Sequence, residues 1–266
     1  MLAHERRGEG EPLVLLHGIT HRRQAWYPVA DHLAEHHEVI LIDLPGHGES
    51  PSLRPGYQAP GDRMLDQLIE GLADLGLDRP HIAANSLGGG LALELAARDA
   101  VRSVTAFSPI GFWRGPLDFR YTTSLFRVIL ALSGRIDPYA ERLLRTRVGR
   151  AALFSWINTR PGTLTPEQAL GDFRGLLRAR PEVMEFLAET VPFTAPPTGD
   201  VPVTIAWAQR DIVLPVYQAK IARTCFPWAK HVVLPGCGHV PMNDDPYRVA
   251  TTILRGTRAV LDKAAA

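Results

Sequence analysis

Cysteine is nearly absent. Only Cys225 and Cys237 occur among 266 residues, too few for a disulfide scaffold and without metal-ligand spacing, so both read as small buried hydrophobes. Long apolar runs are missing as well, and none reaches the length that spans a bilayer. The first ten residues, Met1 to Gly10, lack the apolar core of a secretory leader. A soluble, cytoplasmic protein without membrane insertion is expected. Net charge is also lacking, with Lys plus Arg at 29 against Asp plus Glu at 28, so no field attracts nucleic acid or an anionic surface. Basic residues are nearly all Arg, which gives no functional clue. There is no internal repeat and no low-complexity segment. What remains is 45% hydrophobic and 21% charged, the composition of one large domain or of one domain carrying an insertion.

The apolar residues are arranged in short runs separated by helical patterns. Leu2 to Arg6 could form one short strand. Leu13-Val14-Leu15-Leu16 and Val39-Ile40-Leu41-Ile42 are continuous apolar runs of the kind buried in a parallel sheet. The spacing of Trp26, Val29 and Leu33 predicts a helix over 24–36, and that of Met64, Leu65, Leu68, Ile69 and Leu72 predicts another over 62–76. Further strands are predicted at 82–84, 101–108, 201–207 and 231–234, with helices at 216–225 and 246–261. This alternation demands a parallel sheet with helices on both faces. It is interrupted from 111 to 197, where helical patterns at 125–132, 138–148, 166–178 and 181–189 are punctuated by Gly and Pro. An all-helical insertion is expected there, ending in a linker by composition at 192–199.

The most informative stretch is Ile82-Ala83-Ala84-Asn85-Ser86-Leu87-Gly88-Gly89-Gly90, which reads as strand, tight turn and helix with Ser86 at the tip. Small residues two before and two after the serine, Ala84 and Gly88, have the spacing of a nucleophile elbow. Side chains there would collide with neighbouring backbone, and the helix behind the serine offers free N–H groups to developing negative charge. The plainer reading is a helix-capping serine before a flexible glycine run. Two further residues bear on the choice. Ser86, Asp211 and His239 each follow the C-terminal end of a predicted strand, the edge of an open α/β sheet where ligands bind.

In that order, and with His17-Gly18 after the first strong strand, Asp43-Leu44-Pro45-Gly46-His47-Gly48 after the second and Gly238-His239-Val240-Pro241 near the end, the sequence resembles the α/β-hydrolase fold family over nearly its whole length. It departs in two respects: Ala84 replaces the usual Gly, and the N-terminus is short, so the first one or two strands of the family sheet are candidates for absence. The resemblance implies a mostly parallel central sheet flanked by helices, with a helical cap inserted after the strand ending near Ser108. The core domain would then comprise 1–110 and 198–266 and the cap 111–197.

The resemblance also implies roles that the chemistry requires. Ser86 would be the nucleophile, His239 the general base and acid, and Asp211 the carboxylate that holds the imidazole tautomer. The backbone N–H groups of Ile19 and Leu87 would form the oxyanion hole. No cofactor and no metal is implied, and the partner expected is a small-molecule substrate. The rival position for the acid reads Ser108-Pro109-Ile110 and holds no carboxylate. Ser rather than Asp at 86 argues against the dehalogenase and epoxide hydrolase chemistries. His17 and His47 are expected to be structural, His21 and Gln24 to face either substrate or solvent, and Asp244 with Asp245 to cap the last helix.

Aromatic residues in the insertion suggest an apolar or aromatic substrate under a water-excluding lid. Trp113 and Phe112, with Val240 beside the histidine, are the expected substrate contacts. The expected activity is hydrolysis of a small to medium carboxylic ester through an acyl-enzyme. Carbon–carbon bond hydrolysis, thioester or lactone hydrolysis, cofactor-free perhydrolysis and lyase chemistry use the same residues and stay open. So does a non-catalytic ligand receptor.

Overall fold

A computed structural model describes residues 1–189 and 200–264. The apolar runs form seven strands: β1 His4–Arg7, β2 Pro12–Leu16, β3 Glu38–Ile42, β4 His81–Asn85, β5 Ser103–Phe107, β6 Val203–Ala208 and β7 Lys230–Leu234. Their order across the sheet is β1-β3-β2-β4-β5-β6-β7. Only β1 runs antiparallel, at the edge beside β3. Strands β4, β5 and β6 are buried at every position, and β2 and β3 are buried from Leu13 to Leu16 and from Val39 to Ile42, which is why those two stretches read as unbroken apolar runs.

Chain order reverses between β2 and β4: from β2 the chain passes to β3 on one side, and from β4 it builds β5, β6 and β7 on the other. Loops leaving the C-terminal ends of two such strands part from one another and open a crevice. His17 to Thr20 leave β2 there, and Ser86 leaves β4.

Helices α1 (Tyr27–Ala34), α2 (Pro60–Asp74), α3 (Leu87–Ala97), α8 (Gln218–Cys225) and α10 (Pro246–Ala264) connect or follow the strands. Helices α1 and α10 pack on each other over one face, and α2 and α3 over the other. Between β5 and β6 lie α4 (Pro116–Leu144), α5 (Arg147–Phe154), α6 (Pro166–Arg178) and α7 (Arg180–Glu189), with no strand among the described residues. The linker expected at 192–199 lies outside the described residues.

Two helices were expected at 125–132 and 138–148, the second starting at Pro138, and one of 29 residues runs through the proline to Leu144 instead. The proline removes the partner of the Gly134 carbonyl, but both residues lie on the exposed face, where water takes the orphaned group. Burial of Ser133, Ala140 and Leu144 on the inner face carries the helix through. A short helix not expected from the sequence, α9 (Pro241–Asp244), follows His239.

Candidate active site

Ser86 has φ 55° and ψ −114°, a left-handed conformation that costs a non-glycine residue on the order of 1–3 kcal/mol. Neighbouring backbone holds it there. Its N–H donates to the Phe107 carbonyl at 2.9 Å, and its own carbonyl accepts from Gly90 and Ile110 at 3.0 and 3.1 Å. The glycine run behind it is a packing requirement rather than a source of flexibility. A Cβ on Gly88 would lie 2.7 Å from the His17 carbonyl oxygen, and one on Gly90 would lie 2.7 Å from Ile110 Cγ1. Ala84, where the family has Gly, is fully buried in β4.

Asp211 and His239 are brought together from the ends of β6 and β7. Asp211 Oδ1 accepts from the N–H groups of Val213 and Leu214 at 2.9 and 2.8 Å. Its Oδ2 accepts from His239 Nδ1 at 2.8 Å. Both side chains are buried. A carboxylate can only accept, so a proton sits on Nδ1, and in the neutral imidazole Nε2 is the nitrogen with the lone pair. Among the described residues no hydrogen bond joins Ser86 Oγ to His239. Such contacts commonly tighten only when substrate is bound.

Two residues hold the His239 backbone. The Asn85 side-chain amide donates to the carbonyls of Phe107 and His239, at 3.1 and 3.0 Å. Asp244 was expected at the start of the last helix, yet its carboxylate accepts from the N–H groups of Thr159, Arg160 and Gly238. It ties the segment after α5 to the histidine loop. Asp245 does meet the expectation, accepting from the Arg248 N–H at 3.0 Å.

The loop after β2 is braced from below. His17 Nε2 accepts from the Leu44 N–H at 3.0 Å, which leaves Nδ1 to donate to the Gly18 carbonyl at 2.8 Å. Burial first, and the neighbouring His47 next, push the His17 imidazole well below its ordinary pKa, so it stays neutral. His47 contacts the carbonyls of Ile19 and Pro45. Buried Asp43 accepts from the backbone N–H of Arg23 at 2.6 Å and also pairs with the Arg23 guanidinium. The N–H groups of Ile19 and Leu87 have no acceptor among the described residues.

Ile19, Leu87 and Ser86 line one small apolar pocket of about 30 Å³, closed by Trp113, Phe119, Phe126 and Phe186 from the helical segment. Of the expected substrate contacts, Trp113 therefore lines this space. Phe112 lies elsewhere, edge-on to Trp207 and Phe226 in the core. Val240 is also buried outside it, its backbone hydrogen-bonded to Ile157 and to the Asn158 side chain.

A second cavity of about 150 Å³ opens on the other side of the loop, between Thr20–His21 and helices α4 to α6. His21 faces this cavity, its pKa lowered to about 3 by burial and then by His239. Gln24 has a buried Oε1 without a partner among the described residues. Asp172, in α6, is buried against the cavity, and burial raises its pKa to about 6 despite Arg22. Sequence reading missed Asp172, although a signal exists: it sits in the buried register of α6, with Ala169, Phe173 and Leu176. Cys237, two residues before the histidine, is buried, and burial pushes its thiol to about 11. Among the described residues there is no group of three or more His, Cys, Asp or Glu arranged to hold a metal ion, and no helix long and apolar enough to cross a membrane.

A strained serine on a strand-to-helix turn, with a buried Asp–His pair at the same edge of a mostly parallel sheet, defines a hydrolase of the α/β class. The chain belongs to the alpha/beta hydrolase family, whose sequence model matches residues 13–252. An uncharacterized protein of Mycobacterium tuberculosis is 29% identical over 267 residues, covering 93% of this chain and 75% of that protein. The pimeloyl-[acyl-carrier protein] methyl ester esterase of Aeromonas salmonicida is 28% identical over 266 residues, covering 92% and 94%. Among solved structures, a thermophilic esterase from Thermogutta terrifontis superposes with a TM-score of 0.71 at 24% identity, covering 97% of this chain and 93% of that one.

Proposed function

We propose that this enzyme hydrolyses carboxylic esters with a small apolar acyl group, through an acyl-enzyme on Ser86. The observation that carries the reading is the buried Asp211–His239 pair, whose histidine backbone is tied by Asn85 directly beside the strained serine. With Nδ1–H engaged by Asp211, His239 Nε2 takes the Ser86 proton as Oγ attacks the acyl carbon. The same nitrogen returns that proton to the departing alkoxide, and water then repeats the sequence on the acyl-enzyme.

The N–H groups of Ile19 and Leu87, free of other acceptors among the described residues, would stabilise the oxyanion. One such donor contributes on the order of 10²- to 10³-fold in rate. Trp113 and its aromatic neighbours would pack the acyl group and keep water out. In this reading 111–197 is a cap over a core of 1–110 and 198–266. An esterase name on a relative of similar length supports the ester as substrate class. A cytoplasmic location belongs to the same reading, supported by the free thiols of Cys225 and Cys237.

A fluorophosphonate probe followed by p-nitrophenyl esters of graded acyl length tests it, with Ser86→Ala and His239→Ala as controls. Labelling at Ser86, and turnover that is fastest for short acyl groups and lost in both variants, is the expected result. Labelling without turnover of any ester would move the reading to carbon–carbon, thioester or lyase chemistry. A folded protein that neither labels nor turns over would favour a binding role.

A further inference from the structure

We propose that the cavity beneath α4 and α6 receives the leaving alcohol and selects alcohols that carry a second hydroxyl group, with Asp172 as its acceptor. This rests on the ester-hydrolase reading and adds the chemistry of the leaving group to it.

Position assigns the cavity to the alcohol. In that mechanism His239 hands its proton to the departing oxygen, so the alcohol leaves on the histidine side of Ser86. The wall of the 150 Å³ cavity formed by Trp156 and Ile157 is fastened to that side, since the Val240 N–H donates to the Ile157 carbonyl at 2.9 Å. The small pocket that holds Ser86 lies beyond the edge-on contact of Phe126 with Trp156, whose ring centres are 5.8 Å apart. Acyl and alcohol groups thus have separate compartments.

The cavity wall is apolar apart from a few polar side chains, and three of these have hydrogen-bonding capacity that the described residues leave unused. Asp172 has a single contact, with Arg22 Nε at 3.4 Å. Ser133 is 5% exposed, and its hydroxyl has no partner among the described residues. His21 Nδ1 meets the Thr20 hydroxyl at 3.2 Å, and its Nε2 is likewise unpaired among them. Polar groups with unused hydrogen-bonding capacity in a largely apolar wall cost stability unless something pairs with them, and a cavity lined by three of them is shaped for a ligand.

The donors and acceptors name the group. A hydroxyl can donate to the Asp172 carboxylate while accepting from Ser133 or from the His21 ring. An ammonium fits poorly, because the Arg22 guanidinium already balances the carboxylate. Arg22 is seated by design of the helix: a Cβ on Gly171 would fall 1.9 Å from its Nη2. A ligand carboxylate would meet Asp172 directly. A cavity of this size takes a molecule of roughly benzene's bulk, and Ile129, Ile136, Leu153 and Leu176 provide the apolar wall for a short carbon stem.

The test compares 4-hydroxybutyl acetate with pentyl acetate, which differ by one hydroxyl in place of one methyl. The kcat/KM ratio should favour the hydroxyl ester on the order of 10- to 100-fold, the worth of a hydrogen bond to a charged group. Asp172→Asn should bring it within a few-fold of unity, and Ser133→Ala should reduce it. A ratio near one in the wild type, or a ratio that survives Asp172→Asn, overturns the proposal. Ligand-observed NMR with butane-1,4-diol and pentan-1-ol needs no turnover. Tighter binding of the diol, lost in Asp172→Asn, supports the cavity even if every ester proves inert, whereas equal binding of the two alcohols overturns it.

Discussion

The Asn85 side-chain amide donates to the backbone carbonyl of His239 at 3.0 Å, joining residues 154 positions apart. Asn85 ends β4 and immediately precedes Ser86, so one buried hydrogen bond fixes the spacing between the serine turn and the histidine loop. Its second bond, to Phe107, anchors the amide to the neighbouring strand. Asn85→Ala leaves the buried His239 carbonyl without its donor, at a cost of about 1–3 kcal/mol, while the Phe107 carbonyl keeps the Ser86 N–H. In ester kinetics we expect kcat to fall on the order of 10- to 100-fold, the scale of a misplaced catalytic group, with KM changed less. An unchanged kcat would show that the histidine loop is positioned without it.

Ser86 holds a positive φ that glycine adopts freely. Ser86→Gly should abolish activity and at the same time stabilise the fold by about 1 kcal/mol, the low end of the strain such a residue stores. Chemical denaturation of the wild type, Ser86→Ala and Ser86→Gly measures this. Ser86→Ala keeps the strain and should lack the gain.

Asp244 accepts from three backbone N–H groups in two separate segments. Asp244→Ala leaves these donors without their acceptor and should cost about 1–3 kcal/mol for each one that water does not reach. Asp244→Asn retains part of the network and should fall between the two. Melting temperatures alongside kcat will show whether loosening of the Gly238–His239 loop appears in both quantities.

Stability should depend on pH in two opposing ways. In the unfolded chain His17 and His21 take up protons near pH 6.5, whereas in the folded protein His21 resists until about 3 and His17 is also held well below its ordinary value. The unfolded state therefore binds more protons in this range, and stability falls as pH drops through 6.5. Asp172 acts oppositely. Raised from 3.8 to about 6, it favours the folded state at low pH and loses that contribution as pH rises through 6. Calorimetry should show a melting temperature that falls on acidification below 6.5, a shallower fall in His21→Gln, and a gain from Asp172→Asn that is larger at pH 8 than at pH 4.5.

Much of the candidate site was legible because parallel strands deliver their C-terminal ends to one edge. Once the buried runs were identified, the residues following them had to be neighbours, and Ser86, Asp211 and His239 follow three such runs. What was not legible lies where burial is set by distant partners. Phe112 and Trp113 are adjacent aromatics, yet one faces Trp207 and Phe226 in the core and the other lines the serine pocket. Pro138 reads as a helix break, and only the exposure of Gly134 makes it tolerable. The sequence suited Asp244 equally well to capping the last helix, a role that fell to Asp245 alone.

The sequence by itself determined the alternation of buried strands and helices, the glycine run that the serine turn requires and the order of the three candidate residues Ser86, Asp211 and His239, because these depend on local pattern and on the geometry of parallel strands. Only the tertiary structure decided which backbone carbonyl Asn85 would hold and which helix would set Asp172 against Arg22, 150 residues away. Such pairings depend on the packing of the helical segment over the sheet edge, and hydrogen bonds between distant residues leave no periodicity along the chain.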